Sequence, residues 1–191
     1  MATILLFHHA QGLTPGVQEF AADLRAAGHQ VDVPDLFDGA TFGTVEEGVA
    51  HAQDIGFDTV LQRGARAAEG LPQDLVYVGF SLGVMPAQML AQNRPGARAA
   101  VFVAGCVPVS EFGAWPAGVP LQIHGMDGDP LFADSGDLDA ARELVASTDQ
   151  TELFLYPGRK HVFVDSSVDS FDEQAATLLR QRVLEFLSPA Q

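Results

Sequence analysis

Short apolar runs alternate with amphipathic stretches along the whole chain. Runs at Thr3–Phe7, residues 30–33, 75–78, Ala99–Val103, residues 119–124 and Thr151–Tyr156 have the length and composition of buried strands. Between them apolar residues recur at helical spacing. Val17, Phe20, Ala21, Leu24 and Ala27 form one such stripe, closed by Gly28 as a carboxy-terminal cap. Residues 44–69 read as largely helical, with Gly56 and Gly64 as candidate breaks. Helices are also expected over residues 85–92, 138–147 and 171–187, the last ending before Pro189. This alternation predicts an α/β fold in one domain, a mostly parallel sheet with helices on both faces and little or no cap. Sites in such sheets form beyond the carboxyl ends of the strands. Four segments fall there: residues 8–12, Ser81, residues 124–130 and residues 158–161.

One strand end stands out. Gly79-Phe80-Ser81-Leu82-Gly83 follows a buried strand and opens a helix, the context that Gly-x-Ser-x-Gly needs to act as a nucleophile elbow. The turn reverses so tightly that side chains two before and two after the serine would collide with it. The serine hydroxyl is left exposed on strained backbone, beside a helix amino terminus. Pro86 falls in the first helical turn, where a missing N–H costs little.

Composition narrows the class. Hydrophobic residues make up 47% of the 191, enough for a sizeable core, and no run is long enough to span a membrane. Residues 1–7 enter an apolar strand with no basic leader, so no secretory signal is expected. The single cysteine, Cys106, fits a reducing cytoplasm and reads as a small core residue. A net charge of −15 argues against nucleic acid and anionic membranes as partners. A homodimer is compatible with the sequence.

A serine nucleophile needs a general base and an orienting carboxylate. His29 and His51 lie away from the strand ends. His124 closes an apolar strand, and His8 and His9 precede the serine. His161 follows the last strand by a short loop, which gives the chain order serine, acid, histidine found in α/β-hydrolases. It is the preferred base. The turn after the fifth strand offers Asp127 and Asp129. Asp129 is favoured, because Pro130 biases it towards extended backbone, with Asp127 as the alternative. Two oxyanion donors are expected, the N–H groups of Leu82 and of Ala10, with Gly12 letting the first loop approach.

Taken together these segments resemble the dienelactone hydrolase family of the α/β-hydrolases, over nearly the whole chain. The resemblance rests on residues 79–83, on Pro34-Asp35-Leu36-Phe37, on His124-Gly125 with the aspartates after it, and on residues 158–163 with His-x-Phe. It implies hydrolysis of a small ester or lactone through nucleophile, acid and histidine, with no metal or organic cofactor. It also implies that His9, Phe37 and Phe80 border the substrate. The chain departs from the family in three places. Ser81 stands where cysteine is usual, His9 where a glutamate contacts the nucleophile, and Asp165 where an arginine holds a substrate carboxylate. With 25 acidic residues against 10 basic ones, a neutral or cationic substrate is expected, with Asp165 bordering the site and Arg159 and Lys160 as the counter-evidence. Two other classes compete. One is a non-catalytic α/β-hydrolase-like binding protein, for which an intact serine, acid and histidine would be superfluous. The other is a nucleotide-binding domain, but residues 8–12 carry neither Gly-x-Gly-x-x-Gly nor a Walker sequence. A metal shared by His8 and His9 is disfavoured, since adjacent side chains at a strand end point to opposite sides.

Overall fold

The computed structural model of the protein describes residues 1–188. Six strands, β1 (Thr3–Phe7), β2 (Gln30–Asp32), β3 (Leu75–Phe80), β4 (Ala99–Val103), β5 (Leu121–Met126) and β6 (Thr151–Tyr156), form one sheet in the order β2-β1-β3-β4-β5-β6. Every neighbouring pair is parallel. The helices are α1 (Pro15–Ala26), α2 (Val45–Ile55), α3 (Phe57–Ala67), α4 (Val84–Asn93), α5 (Pro130–Ala133), α6 (Asp137–Ser147) and α7 (Glu173–Leu187).

Alternation along β1 divides the core. Ile4 and Leu6 pack with Val17, Phe20 and Leu24 of α1 and with Leu179 and Val183 of α7. Leu5 and Phe7 belong to the opposite face, with Val60 of α3, Leu90 of α4 and Leu144 of α6. Both faces of the sheet are covered, which is why its strands read as continuous apolar runs. From β1 the chain steps outward to β2, then returns past β1 to β3. The crevice at such a reversal, beyond the carboxyl ends of β1 and β3, is where ligands bind in open α/β sheets.

Helix ends follow local chemistry. The Thr14 side chain accepts from Val17 N–H ahead of α1, with Pro15 at the first helical position. Thr44 and Glu47 form a reciprocal capping box at α2. Of the two expected breaks in residues 44–69, only Gly56 ends a helix, at φ 84°. Gly64 stays inside α3, where a Cβ would lie 2.4 Å from Cβ of Pro86, so it serves the contact with α4. The final helix starts at Glu173 because the Asp172 side chain accepts from Ala175 N–H. The short α5 was not expected from the pattern. Asp129 caps it, accepting from Leu131 N–H at 3.0 Å, with Pro130 in its first turn.

A buried polar network joins the loop after β1 to the loop after β6. The Asp165 carboxylate, 1% exposed, accepts from His9 Nε2 at 2.7 Å, from the Thr14 hydroxyl, and from the N–H and hydroxyl of Ser167 at 2.7 and 2.6 Å. Gln11 N–H donates to His9 Nδ1 at 3.2 Å. The His9 proton therefore sits on Nε2 and the ring is neutral. Burial pushes the Asp165 carboxyl up, but the hydrogen bonds from His9, Ser167 and Thr14 outweigh it and hold the group at about 2. Gly16 makes room for this carboxylate, since a Cβ there would fall 1.9 Å from its Oδ1. Asp165 thus does not border the crevice as expected; its four acceptor bonds are spent inside the fold.

Two further histidines are buried and neutral. His8 Nε2 accepts from Leu36 N–H at 2.9 Å, and Nδ1 donates to the His9 carbonyl at 2.8 Å. His124 lies 2.9 Å from the Tyr156 hydroxyl and stacks on Phe154. Burial lowers His8 to about 4, and burial with the Arg182 charge lowers His124 to about 3.

Two predictions follow from these groups. An unfolded histidine titrates near 6.5, so the stability contributed by His8 and His124 is present above that pH and lost as pH falls through their folded values. The urea midpoint should fall between about pH 7 and pH 5, and His124→Gln should flatten that slope; a level wild-type profile would contradict this. Asp165→Ala strands the buried His9 N–H and should cost about 3 kcal/mol in equilibrium unfolding. A loss under about 0.5 kcal/mol would show that the network is not structural.

Candidate active site

The turn after β3 is built by exclusion. A Cβ at Gly79 would lie 2.5 Å from the carbonyl oxygen of Gly83 and 2.6 Å from Cα of Val84. A Cβ at Gly83 would lie 2.4 Å from the Phe7 carbonyl oxygen and 2.6 Å from that of His8. Only glycine fits at both positions, so β3, the 3-10 turn Ser81–Gly83 and the end of β1 pack backbone to backbone. Ser81, between them, is held at φ 49°, in the left-handed region that β-carbon-bearing residues avoid.

Two other strand ends meet this serine. His161, from the loop after β6, lies with Nε2 2.7 Å from Ser81 Oγ. Its Nδ1 lies 2.6 Å from Oδ2 of Asp129, from the turn after β5. A carboxylate only accepts, so Nδ1 carries the proton and Nε2 is free to accept from the serine hydroxyl. Asp129 is fully buried, and its other oxygen is fixed by Leu131 N–H. Asp127 is used elsewhere: it accepts from Gly158 N–H at 3.1 Å, an ordinary turn contact. Of the two aspartates that the sequence left open, Asp129 is therefore the one hydrogen-bonded to His161.

The first loop leaves β1 beside the serine turn, where the Phe7 and His8 carbonyls meet Gly83. The Ala10 segment is buried against α2, where a Cβ at Gly48 would lie 1.8 Å from the Ala10 carbonyl oxygen. Gly48 was not singled out in the sequence. A glycine on the apolar side of an amphipathic helix, in line with Val45 and Ala52, was the available signal.

Ser81 and His161 open into a cleft of about 360 Å³. Val45 and Val49 of α2 and Phe57 at the start of α3 form one wall. Leu82, Val84 and Met85 continue it from the serine turn, and Ala104, Val107 and Leu131 lie along the rest. Cys106, fully buried, also lines it; burial, with the Asp137 charge beside it, pushes its thiol up to about 12. Neither the loop of residues 35–43 nor that of residues 110–118 contributes to the lining.

Three expected substrate contacts are corrected here. His9 has no exposed surface and is bound to Asp165. Phe80 is 1% exposed and packs edge-on against Phe20, on the α1 side of the sheet. Phe37 is 2% exposed and enclosed by His8, Phe42 and His51. None lines the cleft. His8 and His9 also turn to opposite sides, one to Leu36 and the other to Asp165.

The fold is shared with known hydrolases. A protein from Klebsiella pneumoniae subsp. pneumoniae MGH 78578, provisionally described as a dienelactone hydrolase, superposes with a TM-score of 0.74 at 16% identity, covering 97% of this chain and 85% of its own. A dienelactone hydrolase-like promiscuous phosphotriesterase, P91, from metagenomic libraries gives 0.70 at 18% identity, with 97% and 85% covered. A cold-adapted esterase from an Arctic intertidal metagenomic library gives 0.65 at 19% identity, with 95% and 82% covered. No curated protein matches the sequence significantly. Among the described residues no helix is long and apolar enough to cross a membrane. The sequence profile of the dienelactone hydrolase family, in contrast, matches residues 1–191 from end to end, and the chain belongs to that family of hydrolases.

Proposed function

We propose that the protein is a serine-dependent hydrolase that cleaves a small carboxylic ester or lactone through an acyl-enzyme. The observation that carries this reading is the unbroken hydrogen-bond line from Ser81 Oγ through His161 to Asp129, ending at an open apolar cleft. Ser81 Oγ attacks the carbonyl carbon while its proton passes to His161 Nε2. The buried Asp129 keeps the imidazole in the required tautomer and stabilises the imidazolium that forms. The backbone N–H groups of Leu82 and Ala10 hold the developing oxyanion, each worth about 3 kcal/mol of barrier. The tetrahedral intermediate collapses, and His161 gives its proton to the leaving alcohol. Water then attacks the acyl group, deprotonated by the same nitrogen, and the acid leaves with Ser81 restored.

The cleft supports an organic ester of modest size. Its walls are mainly aliphatic, and its volume suits a small ligand better than a polymer. The aliphatic surface favours an apolar acyl or alcohol group beside the scissile bond.

A fluorophosphonate probe should label wild-type protein at Ser81, and Ser81→Ala should lose both labelling and ester turnover while unfolding at the wild-type midpoint. Asp129→Asn should lower kcat about 10⁴-fold by stabilising the wrong tautomer. Asp127→Asn should cost far less. An active Ser81→Ala would refute the nucleophile, and the reverse ranking of the aspartates would move the orienting role to Asp127.

A further inference from the structure

The charged residues of the cleft are of one sign. Glu46, in the first turn of α2, lines its mouth, and Asp137, the first residue of α6, lines it together with Ser81 and His161. No lysine or arginine does. The nearest cations on the His161 loop are placed elsewhere. Lys160 Nζ donates to the Phe171 carbonyl at 2.5 Å and pairs with Asp172 at 3.6 Å. Arg159 is exposed, and its stem packs on the turn at Gly128, where a Cβ would meet its Cγ at 3.1 Å.

Asp137 is held in place. Its Oδ2 accepts from Cys106 N–H at 3.0 Å and its Oδ1 from the Ser135 hydroxyl at 2.9 Å. Burial raises the Asp137 carboxyl above its ordinary value, and the nearby Asp129 carboxylate adds to this, while the bonds from Cys106 and Ser135 and the nearby His161 oppose it and favour the ionised form. The same desolvation removes the screening that would otherwise blunt the field of this group at the cleft.

We propose that Asp137, seconded by Glu46, is a specificity determinant that excludes substrates bearing a carboxylate next to the scissile bond, so that the enzyme takes neutral or cationic apolar esters. The inference rests on the ester-hydrolase reading above and adds the charge class of its substrate. A carboxylate in this cleft meets like charge with no cationic side chain on its walls to receive it, and repulsion of that kind is how sites select against a near-isosteric competitor. An acyl or alcohol group with an ammonium in the same position meets no such penalty.

The test uses three matched ethyl esters, the butyrate, the hemisuccinate and the 4-(trimethylammonio)butyrate, whose hydrolysis is followed by acid release at low ionic strength so that screening does not mask the effect. Each kcat/KM is divided by the same ester's hydroxide-catalysed rate. The neutral and cationic esters should exceed the anionic one by about tenfold or more in the wild type. Asp137→Asn and, on an exposed position with no packing role, Glu46→Gln should each narrow that ratio, with the larger change at Asp137. Brisk hydrolysis with a ratio of one or below, or a ratio unmoved in both variants, overturns the inference and leaves the hydrolase reading standing. Absence of turnover for all three esters, with Ser81 inert to fluorophosphonate, overturns the hydrolase reading itself.

Discussion

Backbone crowding around residues 79–83 is the constraint on which the rest of the molecule depends. Carbonyl groups of Phe7, His8 and Gly83 stand where side chains at residues 79 and 83 would be. With glycine at both positions the strand can turn into α4 within three residues, and Ser81 is driven to φ 49°. A left-handed non-glycine residue costs about 1–2 kcal/mol, a strain persisting only where its surroundings over-determine it. Here they do, because β3 is paired on both sides and every one of its residues is buried. The strained serine is thereby fixed at the reversal of strand order, where His161 from the loop after β6 reaches it.

The sheet order decides which loops those are. The β1 loop arrives from one side of β3, locked to α2 through Gly48 and to the β6 loop through the His9–Asp165 pair. From the other side, β4 and β5 intervene before β6, and the long loop after β6 folds back to bring His161 over Ser81. Asp165 therefore matters to the site without touching it. Four residues after His161, it anchors the returning loop to the segment that carries Ala10.

Features set by local backbone chemistry were legible in the sequence. The strands, the serine turn and the bias of Asp129 ahead of Pro130 all follow from neighbours within a few residues. The structure finds Asp129 extended, at φ −71° and ψ 113°, as that bias requires. What sequence could not place was anything decided by facing. The family resemblance put Phe80 beside the substrate, yet it is in phase with Val76 and Val78, which face α1. Strand periodicity contained that answer. For His9 and Phe37 no such local signal exists, since their burial depends on Asp165 and His51, far off in sequence. The cleft wall from α2 and α3 was equally invisible, because residues 44–69 read only as amphipathic helix. The carboxylate expected beside the site, Asp165, is spent inside the fold, and the ones that line the cleft, Glu46 and Asp137, were not singled out in the sequence.

The central claim is that Ser81 passes through a covalent acyl intermediate. Rapid-quench intact-mass measurement during turnover of a 4-nitrophenyl ester tests it directly. The account predicts a burst of nitrophenol close to one equivalent, with a matching acyl mass increment that maps to Ser81 on digestion. Turnover without a burst and without any adduct at Ser81, under conditions where deacylation is slowed by low temperature, would contradict it.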